Sequence, residues 1–192
     1  MDEPFNGIIK EYRKLQPLFR VTSRCPVCGS YSLIIEEILY EVPYFGKIII
    51  STGKCSNCGY KYSDVRTAES RGPQKIVVKV TGEKELRYLL IKSALASIYI
   101  REKGYKITPG PASTGFITTI EGILHRIHEV LEIICKEDAN ACREHKKWIK
   151  QAIEGKTTFT LVICDPEGTS KVIGDNVQTT PLDEECKAIQ QH

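Results

Sequence analysis

The sequence predicts a mostly β protein that opens on a four-cysteine zinc ribbon and carries one helical hairpin. Three observations predict it. Cysteines stand in two tight pairs, Cys25-Pro26-Val27-Cys28 and Cys55-Ser56-Asn57-Cys58, with a spacer of 26 residues. Runs rich in β-branched residues, bounded by Gly and Pro, recur before and after position 100. Only the stretch from Ile120 to Gly155 reads as two successive amphipathic helices with a short link.

The cysteine pattern carries the chemistry. Two thiolates from each C-x2-C loop can close a tetrahedral shell around one Zn²⁺. Gly29 and Gly59 follow the pairs and can take positive φ, which turns backbone N–H groups toward the sulfurs. Cys25, Cys28, Cys55 and Cys58 would leave no open coordination position, so the ion reads as structural rather than catalytic. Iron also suits a thiolate tetrahedron, and two disulfides are the remaining use of four cysteines. Such a zinc site is worth on the order of 10–16 kcal/mol, against about 5–15 kcal/mol for a whole domain. The first third of the chain is therefore expected to need metal to stay folded.

Composition is that of a globular protein of one or two small domains in 192 residues. No run of 18 apolar residues exists, so no transmembrane helix is expected. Met1-Asp2-Glu3-Pro4 is not a signal-peptide start, and the expected location is cytoplasmic, with reduced ligand cysteines. Residues 1–80 hold 12 Lys/Arg and 8 Asp/Glu, whereas residues 81–192 hold 15 and 16. The basic excess of the first part partly offsets the −2 charge of a zinc–tetrathiolate centre. A dedicated nucleic-acid surface shows a stronger cluster.

Element by element, Ile8, Ile9, Tyr12, Leu15 and Leu18 suggest a short helix or extended arm over 1–20. Leu33 to Tyr40 and Lys47 to Ser51 read as a hairpin punctuated by Pro43 and Gly46, with Tyr44 and Phe45 at its tip. Those two aromatics either pack on the next domain or form a partner-binding tip. Ser70 to Pro73 marks a boundary, and Ile76 to Val80 a strand. Leu86 to Ile100 suits helix and strand equally. Thr118-Thr119-Ile120-Glu121 matches a capping box, after which Ile120, Ile123, Leu124, Ile127, Leu131 and Ile134 keep the helical period. Asp138 could cap the second helix and Gly155 end it. Thr157 to Ile163 alternates as a strand, Asp165-Pro166-Glu167-Gly168 is a turn, and Lys171 to Ile173 a return strand. From Asp175 the chain is polar and reads as a loose tail.

These motifs together resemble a known family. Cys25-Pro-Val-Cys-Gly, Val42-Pro-Tyr-Phe-Gly-Lys-Ile-Ile-Ile-Ser51, Cys55-Ser-Asn-Cys-Gly59, Ile107-Thr-Pro-Gly110, Thr118-Thr-Ile-Glu-Gly122 and Phe159-Thr-Leu-Val-Ile-Cys-Asp-Pro-Glu-Gly168 occur in the order of the ZPR-one zinc-finger family. The chain looks like its single-module, archaeal-type form. The resemblance implies a four-cysteine zinc ribbon followed by a double-stranded β-helix domain, with Leu86–Ile100 as strands. The expected division is an arm at 1–20, the ribbon at 21–69, the β-helix at 70–175 with its hairpin at 118–154, and a polar tail at 176–192. The resemblance also implies a non-enzymatic role: binding translation elongation factor one alpha, a GTPase, and assisting its folding.

Other candidate chemistry is weaker. Glu121, His125, His128 and Glu132 share one helix face, as a second metal site or a solvated face. Cys135 and Cys142 either bridge the hairpin turn or stay free and buried, like Cys164 and Cys186. Ser51-Thr52-Gly53-Lys54 lacks the spacing of a phosphate loop and reads as a turn into the second cysteine pair. The alternative function is a nucleic-acid or ribosome-binding ribbon, with Lys47, Lys54, Lys61, Arg66 and Arg71 on phosphates. An enzyme site inside the β-helix stands third, because no predicted strand offers a histidine ligand.

Overall fold

Alternating β-branched residues between the cysteine pairs fold as a long hairpin, and the strands around it complete an antiparallel sheet. The structure is a computed structural model that describes residues 16–43, 45–135 and 139–190. The ribbon comprises β1 (Gln16–Ser23), β2 (Leu33–Val42), β3 (Gly46–Cys55) and β4 (Lys61–Thr67), ordered β1-β2-β3-β4. Val42 pairs with Gly46 across the turn, and Gly46 takes the positive φ of 77° that such a short connection demands. Gly53 lies inside β3 rather than in a turn. The ring of Tyr62 fills the space that a Cβ would need there, so any larger residue would have to displace that ring.

Two sheets follow. The five-stranded one is ordered β12-β5-β10-β7-β8, from β5 (Gln74–Val80), β7 (Ser97–Ile100), β8 (Tyr105–Ile107), β10 (Phe159–Asp165) and β12 (Val177–Pro181). The three-stranded one is ordered β11-β6-β9, from β6 (Leu89–Lys92), β9 (Phe116–Thr119) and β11 (Lys171–Val172). A single turn, α1 (Glu83–Leu86), precedes β6, and the hairpin helices are α2 (Ile120–Ile134) and α3 (Ala139–Ile153). The final helix is α4 (Glu184–Gln190). The two sheets and the helices α2 and α3 enclose one apolar core, in which Val78, Leu90, Ile100, Leu124, Ile149 and Leu161 are fully buried. β10 is buried on both faces because Cys186 and Ile189 of α4 cover its outer side. A strand so placed reads as continuous apolar sequence.

Several expectations are corrected. Residues 16–23 form a ribbon strand paired with β2, not an arm, because Val21 and Thr22 align with Ile35 and Ile34 in register. Residues 1–15 lie outside the described residues, as do Tyr44 and Asp138. The cap of α2 is Thr119, whose Oγ1 accepts from Gly122 N at 3.0 Å, so the box from Thr118 to Glu121 does not form. Thr118 is instead held opposite Leu90 in the β6–β9 ladder. Lys171–Val172 does not return beside β10 but crosses to pair with β6. The expected loose tail is ordered. β12 pairs with β5, and Asp183 and Glu185 bind the Lys75 ammonium while Glu185 also chelates Arg101. Cys186 is bonded to Cys164, and Cys142 to Cys135 across the hairpin, so these four are not free thiols.

Candidate metal centre and binding surfaces

Each cysteine pair is built as the same small loop. Cys25 N donates to Ser30 O at 2.8 Å, and the Cys25 carbonyl accepts from Gly29 N at 2.9 Å. Cys55 N donates to Tyr60 O at 2.8 Å, and its carbonyl accepts Gly59 N at 3.1 Å. Gly29 and Gly59, at φ 71° and 76°, close both loops. The loops are tied to each other by Ser56 N donating to Ser32 O.

The loops bring all four sulfurs within 4.8 Å of one another. Cys25 Sγ to Cys58 Sγ and Cys28 Sγ to Cys55 Sγ are both 3.7 Å. A Zn–S bond of about 2.3 Å sets a tetrahedral edge of about 3.8 Å, so the spacing fits one zinc ion with four thiolates. The first cysteine of each pair is buried and the second exposed, so the ion would sit at the ribbon's end with one side to water. Asn57 Nδ2 points at Cys28 Sγ from 3.5 Å, and Ser32 Oγ lies 3.2 Å from Cys55 Sγ. The Asn57 amide and a Ser30 backbone contact bring the Cys28 thiol down to about 6, and the Ser32 hydroxyl lowers Cys55. A Tyr60 backbone contact favours the Cys58 thiolate, but desolvation and the sulfurs of Cys28 and Cys55 outweigh it and push Cys58 up to about 12. Four adjacent negative sulfurs repel, and a dication relieves that repulsion. The cluster is a structural zinc site for one ion.

The remaining sequence candidates fall elsewhere. Phe45 is not an exposed tip. It is 5% exposed and packs with Ile48 and Ile91, because the ribbon face carrying Tyr40, Val42, Ile48 and Ile50 lies against the β6 side of the next sheets. The same seam holds Thr67 N and Oγ1 on Thr169 O, Arg71 N on Gly168 O, and Lys171 Nζ on Phe45 O at 3.0 Å. Gly115 N donates to Asp64 Oδ1, and a Cβ on Gly115 would strike Val65 O. Glu121–His125 and Glu132–His128 are i,i+4 pairs, with Lys146 2.8 Å from Glu132. Among the described residues, the four cysteines are the one grouping with metal-ligand spacing.

The five cations chosen from sequence do not form one stripe. Arg66 is held by Glu37 and Asp64. Lys47 and Arg71 share a cleft of about 150 Å³ with Glu69 at the seam. Lys54 and Lys61 share a larger groove with Arg20, a residue that sequence reasoning missed because strand register alone places it there. A further apolar groove of about 550 Å³ lies beside α2, where Phe116 carries the Arg126 guanidinium 4.2 Å above its ring. Val130, Ile133 and Ile134 stay exposed on that helix.

A closed-shell zinc ribbon seated on a jelly roll defines a structural-zinc protein. Comparison with known proteins places the chain further. Residues 18–72 match the ZPR1 zinc-finger domain and residues 84–190 the ZPR1 jelly-roll domain. An uncharacterised ZPR1-like protein of Pyrococcus horikoshii is 39% identical over 170 residues, covering 84% of this chain and 76% of that protein. A second from Methanocaldococcus jannaschii is 35% identical over 167 residues, covering 84% of each. The zinc finger chaperone zpr1 of Schizosaccharomyces pombe is 33% identical over 153 residues, 74% of this chain but 33% of that longer protein. The chain belongs to the ZPR1 family.

Proposed function

We propose that this chain is a non-enzymatic, cytoplasmic protein that binds the translation elongation factor one alpha GTPase and assists its folding. The observation that carries the reading is the seam. Phe45, Ile48 and Ile91, with the Thr67–Thr169 and Arg71–Gly168 hydrogen bonds, join ribbon and jelly roll into one presenting surface. A four-thiolate shell with no vertex for substrate agrees with recognition rather than reaction. The name of the fission yeast relative, a zinc finger chaperone, supports the class of function. Among the described residues no helix is long and apolar enough to cross a membrane. Intracellular disulfides persist mainly in hyperthermophiles, so the Cys135–Cys142 and Cys164–Cys186 bonds restrict the cytoplasmic reading to such a source.

Contacts are proposed at the exposed apolar residues of the hairpin, Val130, Ile133 and Ile134, and at Tyr44 on sequence grounds. The test is refolding of denatured elongation factor one alpha with zinc-loaded protein. The expected result is a higher yield of nucleotide-binding factor and a co-purifying complex. An unchanged yield with no complex would contradict the reading.

A further inference from the structure

We infer that the open half of the ribbon's inner face is a docking groove for an extended, acidic polypeptide segment. Strand register builds it. On one face of the sheet, Arg20, Glu36, Thr52 and Ser63 align as one cross-strand row. The next row toward the zinc end sets Lys54 directly opposite Lys61. The rows nearer the turn carry Ile50 and Ile48, which pack with the ribbon's own Phe45 and are covered by Ile91 of the jelly roll. So the same face changes from apolar to cationic where its cover stops. Among the described residues the part left open is a groove of about 700 Å³.

The groove's charge is unbalanced. Glu36 is taken by Arg20 at 3.2 Å, and among the described residues no carboxylate pairs with Lys54 or Lys61. Like charges directly opposite on neighbouring strands destabilise a sheet. An anionic partner relieves that cost. Alternation puts the Lys54 side chain on the face opposite the Cys55 sulfur, so the lysines are not turned toward the metal centre. Rows two residues apart are about 6.6–6.8 Å apart, the spacing of alternate side chains in an extended peptide. The hydroxyls of Thr52 and Ser63 offer further hydrogen bonds along the same line. A nucleic acid fits less well. The Tyr62 ring is packed over Gly53 instead of offering the stacking platform that bases use. The groove stands whether or not an elongation factor is the client.

The experiment uses the full zinc-loaded chain and fluorescence anisotropy. Its probes are a labelled peptide of alternating Glu and Thr, a Gln/Thr twin, and a single-stranded oligonucleotide. The Glu/Thr peptide is expected to bind in a salt-sensitive way and at least ten-fold more tightly than its twin. The Lys54→Glu, Lys61→Glu double variant is expected to lose at least ten-fold while keeping its zinc. Lys54→Glu alone should melt no lower than the parent, because it sets opposite charges across β3 and β4. Lys147→Glu, exposed on α3, should change nothing. Equal binding by the twin, parental binding by the double variant, tighter binding of the oligonucleotide, or zinc loss from Lys54→Glu would each overturn the assignment.

Discussion

The ribbon and the jelly roll are both antiparallel β structures, yet they are stabilised differently. The jelly roll's main core holds twenty buried residues among those described, from both sheets, α1, the two hairpin helices and a few connecting positions. The cluster beside the zinc site holds three, and two of those are the ligands Cys25 and Cys55. Leu33 alone is buried there without binding metal. The ribbon's other apolar face is buried only because the jelly roll supplies Ile91. A small sheet can thus keep long, regular strands without a core of its own, provided that a metal pins one end and a neighbour covers the other.

The largest effect follows from removing a ligand. Cys25→Ser or Cys55→Ser should abolish stoichiometric zinc and expose residues 16–67 to protease, while the jelly-roll fragment persists. Metal analysis with limited proteolysis reads both. Phe45→Ala should come next, costing about 3–5 kcal/mol by analogy with other buried aromatics. It should loosen the ribbon from the jelly roll with zinc still bound, which calorimetry would show as a split transition. Removing the Cys164–Cys186 bond, whose sequence separation is 22, should cost about 3 kcal/mol. The loss should fall on the jelly roll alone.

The smallest effect concerns pH. Arg101, and then Lys75, hold the Glu185 carboxyl down to about 2. A depressed carboxylate contributes stability that is full above its ordinary value of 4.5 and fades as pH falls toward 2. The group is partly exposed, so the contribution is about 1 kcal/mol or less. The jelly-roll melting temperature should fall less steeply from pH 5 to pH 2 in Glu185→Gln than in the parent.

Much of this was legible in the chain. The zinc ligands were readable from spacing because C-x2-C pairs have few other uses. The α2 helix was readable because Ile120, Leu124, Ile127 and Leu131 hold one period. Thr118 shows where local reading stops: it matches a capping box, but a β-ladder claims it and shifts the cap by one residue. The segment from Asp175 looked loose because its ordering comes from distant partners, Lys75, Arg101 and Cys164. Phe45 looked like a tip because the hairpin alone exposes it, and only the docked jelly roll buries it. The Arg20–Lys54–Lys61 groove needed strand register, which sequence does not state.

Hydrogen–deuterium exchange with and without a zinc chelator tests the central contrast most directly. With the metal removed, amides of Gln16–Ser23 and Leu33–Thr67 should lose protection together, while those of β5 and β10 keep theirs. Retained protection throughout the chelated ribbon, or simultaneous loss in both parts, would contradict a metal-pinned sheet resting on an independently stable jelly roll.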